Sequence, residues 1–109
     1  MPKIGPAVWG PVLWSALFHV AVGDAPRRAK RAAILAIFDA LPCRKCRRHI
    51  QTFVSQVPLN DMSLTKEGLV TWLYIVKALV SARIAKKKGK TYVPPPFASV
   101  RRKWLQTNR

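Results

Sequence analysis

The chain has 109 residues, enough for one domain with its own core and too few for two ordinary ones. Half of the residues are hydrophobic and four are Trp, so the 20 Lys and Arg against four Asp and Glu do not mark a disordered basic tail. The net charge of +16 draws acidic or polyanionic partners at long range without naming one, and the scattered acids Asp24, Asp39, Asp61 and Glu67 nearly exclude a two-carboxylate hydrolase or a carboxylate-rich metal cage.

The first apolar stretch covers 7–22 after Lys3, with Gly23 and Ala25 beyond it, so a signal peptide has to be weighed. Pro11, Ser15 and His19 interrupt the run, and it is too short to span a bilayer. As a helix starting near Pro11, whose missing N–H costs nothing there, it places Trp14, Leu17 and Phe18 on one face, with Leu13 and Val20 close by. It reads as a core helix.

Pro26 opens a second helix. Ala29, Ala32, Ala33, Ala36, Ile37 and Ala40 give it high propensity and a small-residue packing face, while Arg27, Arg28, Lys30 and Arg31 form a solvated first turn. That turn opposes the helix dipole, so helix stability alone does not account for it. Leu41-Pro42 ends the pattern, because a residue before Pro is pushed out of the helical region while Pro suits a first turn. A third helix is expected to start there, carrying Cys43, Cys46, Ile50, Phe53 and Val54 inward and Arg44, Lys45, Arg47 and Arg48 mostly outward.

Residues 57–61 form a connection, with Ser63 as N-cap of the longest helix and Glu67 in its first turn. Over 64–85 the residues Leu69, Trp72, Leu73, Val76, Leu79, Val80 and Ile84 recur at three- and four-residue steps. Lys86, Lys87, Lys88 and Lys90 suit the C-terminal dipole, and Gly89 marks the stop. Pro94-Pro95-Pro96 forbids regular structure, and 97–105 form a last short helix containing Trp104. The sequence shows no internal repeat, strand pair or glycine-rich phosphate loop. The expectation is one all-α domain over 1–109, a four-helix bundle with a short fifth helix, its core over about 9–86 and a basic extension over 87–109.

The two cysteines sit as Cys43-Arg44-Lys45-Cys46. A disulfide closing so short a loop hardly constrains the unfolded chain, which leaves redox work or metal binding. Residues three apart on a helix share a face within disulfide range, and a helix N-terminus amid Arg44, Lys45, Arg47 and Arg48 favours a thiolate. The metal alternative is a zinc site using Cys43, Cys46, His49 and His19. No βαβ pattern surrounds the pair, which disfavours a thioredoxin-like motif.

Taken in order, Trp9-Gly10-Pro11 with Trp14, the box Leu41-Pro42-Cys43-Arg44-Lys45-Cys46-Arg47-Arg48-His49, and Trp72 in a long helix resemble the Erv/ALR flavin-linked sulfhydryl oxidases, most of all the small single-domain members of large DNA viruses such as poxviruses. The resemblance implies FAD at the mouth of the bundle beside the CxxC. It implies that Trp14 and Trp72 line the flavin, that Cys46 is the flavin-proximal cysteine, that Cys43 exchanges with the substrate thiol, and that Lys86 lies near the cofactor phosphates. Phe18 stands where the family carries His, with His19 one place later, and Lys77-Ala78-Leu79-Val80-Ser81 stands where it carries an HNxVN box, matching only at Val80. Phe18, His19 and Lys77 are the corresponding cofactor candidates.

The implied activity is disulfide formation in a client or carrier dithiol, with electrons passing through Cys43 and Cys46 to FAD and on to oxygen, giving hydrogen peroxide. Longer family members use an additional shuttle disulfide, so with two cysteines a separate redox carrier is expected. A homodimer through the first two helices, no membrane span, and a cytosolic or virion-associated location, with the secretory pathway as the alternative, complete the expectation. The competing class is a non-enzymatic nucleic-acid-binding module, with basic runs at 27–31, 44–48, 86–90 and 101–103 as phosphate contacts.

Overall fold

The computed structural model describes residues 6–57, 59 and 65–106, and they contain helices and no strand. Helix α1 covers Pro6–Val22, α2 Arg27–Asp39, α3 Arg44–Gln56 and α4 Lys66–Lys87; a short α5, Phe97–Arg101, runs into a π-helical turn, Arg102–Gln106. α1 packs on α2 and α4, and α3 closes the bundle by packing on the same two helices. The all-α bundle with a short fifth helix is the architecture expected from the sequence.

The core faces of α1 and α4 follow the spacing of their apolar residues. Trp14, Leu17, Phe18 and Ala21 from α1 meet Leu69, Val70, Trp72, Leu73 and Val76 from α4. Leu79 departs from its expected place in that stripe and is 37% exposed. By length and composition alone α4 could cross a membrane, but these five residues are committed to the core.

Three helix starts differ from expectation. α1 begins at Pro6, a first-position proline, and Pro11 lies within the helix. Trp9 packs on the core and Gly10 is buried, and this burial offsets the one backbone bond that Pro11 cannot donate. α3 begins two residues after Pro42, because Cys43 is its N-cap: the sulfur accepts from the Cys46 amide at 3.2 Å. For α4 the observed N-cap is Thr65, whose hydroxyl oxygen accepts from the Gly68 amide at 2.9 Å; Ser63 lies outside the described residues.

The packing face of α2 is Lys30, Ile34 and Phe38, not the alanines: Ala29, Ala32, Ala36 and Ala40 are exposed, and Ala33 and Ile37 are half-buried. A methyl group buries too little apolar area to compete with Ile and Phe for the core. Lys30, expected in a solvated turn, is 4% exposed and donates its ammonium to the Ala21 carbonyl at 2.9 Å. That carbonyl belongs to the last turn of α1, where backbone oxygens lack helical partners. Burial, the largest effect, and Lys66 nearby lower the Lys30 pKa.

α4 ends in a Schellman motif, in which the Lys90 amide reaches the Ala85 carbonyl at 2.8 Å and the Gly89 amide that of Lys86 at 3.0 Å. This requires the left-handed φ of 69° at Gly89. The chain then returns to the bundle. The Tyr74 hydroxyl donates to the Pro95 carbonyl at 2.6 Å, Phe97 meets Tyr74 edge-on at 5.1 Å, and Trp104 stacks on Phe18 at 5.1 Å.

Candidate active site

Cys43 and Cys46 are unbridged and half-buried where α2 hands over to α3. Because Cys43 caps the helix, the amides at the start of α3 serve its sulfur. The Cys46 thiol donating to it, then the Cys46 amide, with smaller help from the Lys45 amide and Lys87, hold Cys43 below the usual thiol value. Burial, followed by the hydrogen bond with Cys43 and its negative charge, pushes Cys46 up to about 11. Of the two sulfurs, the Cys43 thiol is thus the one that ionises more readily. The sequence-based expectation that the helix N-terminus favours a thiolate in this pair does not say which sulfur; the favoured one is at the cap, Cys43.

Arg47 does not point outward with its neighbours; its guanidinium donates to the Leu41 carbonyl and so ties down the turn that presents Cys43. Arg44, Lys45 and Arg48 are exposed. His49 is held below the usual imidazole value by partial burial and by Arg83, Lys87, Lys45 and Arg48, so it is neutral at pH 7. Among the described residues no three His, Cys, Asp or Glu side chains converge, which corrects the zinc alternative built on Cys43, Cys46, His49 and His19. His19 is exposed on α1, where its Nδ1–H donates to the Ser15 carbonyl at 2.7 Å.

Cys46 forms part of the wall of a cavity of about 810 Å³, a volume suited to a sizeable organic ligand. Trp14, Phe18 and Lys77, three of the sequence-based candidates, line it as well. His19, Trp72 and Lys86 do not. His19 sits one layer back, edge-on to Trp104 at 4.9 Å. Trp72 is a core residue, 3% exposed, and its indole N–H donates to the Val57 carbonyl at the end of α3 at 2.6 Å. Lys86 is exposed in the last turn of α4.

Sequence reasoning gave no cofactor role to several other residues of the wall: Tyr74, Tyr92, Lys103 and Trp104. One signal was present. Tyr74, Lys77, Ala78 and Ser81 recur at i, i+3, i+4 and i+7, which marks a second face of α4 beside its core face. The contribution of Trp104 depends on the C-terminal segment folding back, which no local pattern encodes.

The cavity thus offers aromatic planes from α1, α4 and the C-terminal turn, and cations at Lys77 and Lys103. Flat rings stack on such planes, and ammonium groups pair with phosphate oxygens. The residues present fit a planar aromatic ligand carrying anionic groups, with a thiol at its edge.

No family model matches the chain, and no solved structure matches it closely. Among curated proteins it is 28% identical over 90 residues to a putative FAD-linked sulfhydryl oxidase of invertebrate iridescent virus 3, a match covering 77% of this chain and 61% of that protein, so it spans under two thirds of this relative. It is 33% identical over 85 residues to the FAD-linked sulfhydryl oxidases of two African swine fever virus isolates, from Kenya and Namibia, covering 72% of this chain and 70% of theirs. With a dithiol at the edge of an aromatic cavity and this degree of identity, the chain belongs to the FAD-linked sulfhydryl oxidase family.

Proposed function

We propose that the protein is a flavin-dependent sulfhydryl oxidase that forms disulfides in client or carrier dithiols. One observation carries the reading: the dithiol has two faces, with Cys46 in the wall of the aromatic cavity and Cys43 at the helix cap outside its lining. FAD bound in the cavity supplies a two-electron acceptor, which dioxygen reoxidises to give hydrogen peroxide. Trp14, Phe18 and Trp104 would hold its rings, and Lys77 and Lys103 its diphosphate.

The chain's own part is thiol exchange. In the oxidised pair a client thiolate attacks the Cys43 sulfur, breaking the Cys43–Cys46 bond and releasing Cys46 as a thiolate beside the cavity. With Cys43 in a mixed disulfide, the anion that raised the Cys46 pKa is gone and only burial opposes its ionisation. The second client thiolate then attacks its own sulfur in the mixed disulfide. Cys43 is released, the client leaves as a disulfide, and two electrons remain with the protein. Arg47 positions the turn that holds Cys43 in reach.

A homodimer through α1 and α2 belongs to the same proposal, supported by the exposed small residues Ala29, Ala32 and Ala36; repulsion between paired 27–31 turns makes self-association rise with salt. So does work in the cytoplasm or virion, where a dedicated oxidase is needed to make disulfides against a reducing pool. The experiment is dithiothreitol-dependent oxygen consumption by purified protein containing flavin. Turnover that disappears in Cys43→Ser and in Cys46→Ser supports the proposal; full turnover by the double Ser variant refutes it.

A further inference from the structure

The dithiol opens onto a field of cations assembled from two helices. Arg44, Lys45 and Arg48 stand in the first turns of α3, and Arg83, Lys86 and Lys87 in the last turns of α4, all of them exposed. α3 packs on α4 with these ends together: Lys87 acts on both cysteines, and Arg83, Lys87, Lys45 and Arg48 all act on His49. None of the six forms an ion pair with a described residue. The two ion pairs among the described residues, Lys66–Asp24 at 2.9 Å and Arg101–Glu67 at 3.0 Å, involve the opposite, N-terminal end of α4. Asp39, in the last turn of α2 ahead of the turn to Cys43, forms no ion pair with a described residue.

This arrangement is not what helix stability favours. The first turn of α3 contains no acid and several cations, against its own dipole, whereas α4 follows the rule with Glu67 first and Lys86 and Lys87 last. Like charges gathered from two elements also repel one another. Local conflicts of this kind are expected where a surface serves a partner.

Resting on the oxidase reading, we infer that the natural client is an acidic dithiol protein, with Asp or Glu flanking the cysteines that approach Cys43, and that the cations of α3 and α4 around the redox pair select it. The half-buried Cys43 sulfur at the cap of α3 lies within this field, so an anionic segment docked there brings its own thiol to Cys43. Arg47 takes no part, since its guanidinium is engaged with Leu41. The cations of the α2 first turn take no part either, because they lie at the other end of the bundle.

The test uses two reduced Cys-x-x-Cys peptides of equal length, one flanked by Glu and one by Lys, with dithiothreitol as an uncharged substrate. At low salt the acidic peptide should show a KM about tenfold lower than the basic one at similar kcat, an advantage of the size that a few partly exposed charge pairs provide. Arg48→Glu/Arg83→Glu should erase that advantage, read as the ratio of the two peptides' KM in the same variant so that any general effect on the cysteines cancels, and so should high salt in the unaltered protein. Arg28→Glu/Arg31→Glu changes net charge equally at the far end and should preserve it. Equal KM for the two peptides, or loss of discrimination in the Arg28/Arg31 variant, would overturn the inference with the oxidase reading intact. An oligonucleotide that blocks peptide oxidation more strongly than the acidic peptide competes would reassign the surface to nucleic acid and overturn it too. Failure to oxidise dithiothreitol would remove the oxidase reading, and the inference with it.

Discussion

Replacing Trp72 with Phe separates a tryptophan that builds the core from those that line the cavity. The indole N–H of Trp72 donates at 2.6 Å to the carbonyl of Val57, the C-cap of α3, and its ring lies 6.1 Å from Phe38. Phe keeps a ring in contact with Phe38 but leaves the Val57 carbonyl unpaired and part of the indole volume empty. A lost hydrogen bond with an unsatisfied partner costs roughly 1–3 kcal/mol, so about 2 kcal/mol is expected. For a domain of this size that lowers Tm by roughly 8–16 °C. Flavin content per chain should hold, because Trp72 is not part of the cavity lining. Trp104→Ala should do the reverse to occupancy, lowering flavin content by removing a ring that faces the cavity. The assay pairs thermal melting by circular dichroism with flavin absorbance after denaturation. Loss of flavin from Trp72→Phe with an unchanged Tm would refute the placement of this residue.

In the reduced protein, Cys43 should alkylate with iodoacetamide at a pH below the ordinary thiol value of about 8.5, and Cys46 only as pH approaches about 11; peptide mass mapping across a pH series checks the order, which inverts if Cys46 is the more acidic sulfur. Cys43→Ser removes the neighbouring anion, so Cys46 should then label at lower pH than in the parent protein. For Lys30 the folded pKa lies below the unfolded one, so between the two the folded chain binds fewer protons and stability should rise with pH, up to the unfolded value of about 10.4. Lys30→Met should abolish this rise in urea titrations at successive pH values. Gly89→Ala meets no neighbouring atom, so its cost is the backbone strain at φ 69°, about 1–2 kcal/mol in denaturant unfolding.

What the sequence made legible was the part written in periodic apolar spacing. The core faces of α1 and α4, the stop at Gly89 and the CxxC at a helix start all follow from neighbours in sequence. Lys30 was not legible, because a lysine among arginines reads as solvated until the end of α1 is placed beside it. The character of the cysteines turned on a two-residue shift of the α3 start, which moved Cys43 from inside the helix to its cap and changed which sulfur the amides serve. Trp72 and Trp104 are the same residue type in helical segments. Only the return of the chain through Tyr74, Pro95 and Phe97 puts Trp104 at the cavity and leaves Trp72 in the core.

The most direct measurement is the absorption spectrum of the purified protein during anaerobic titration with dithiothreitol. About one flavin per chain should bleach with one equivalent of dithiol and recover its colour in air with release of hydrogen peroxide, and the Cys43→Ser/Cys46→Ser variant should keep its colour without bleaching. A protein that binds no flavin, or a double variant that bleaches as fast as its parent, would contradict the assignment of Cys43 and Cys46 as the electron path.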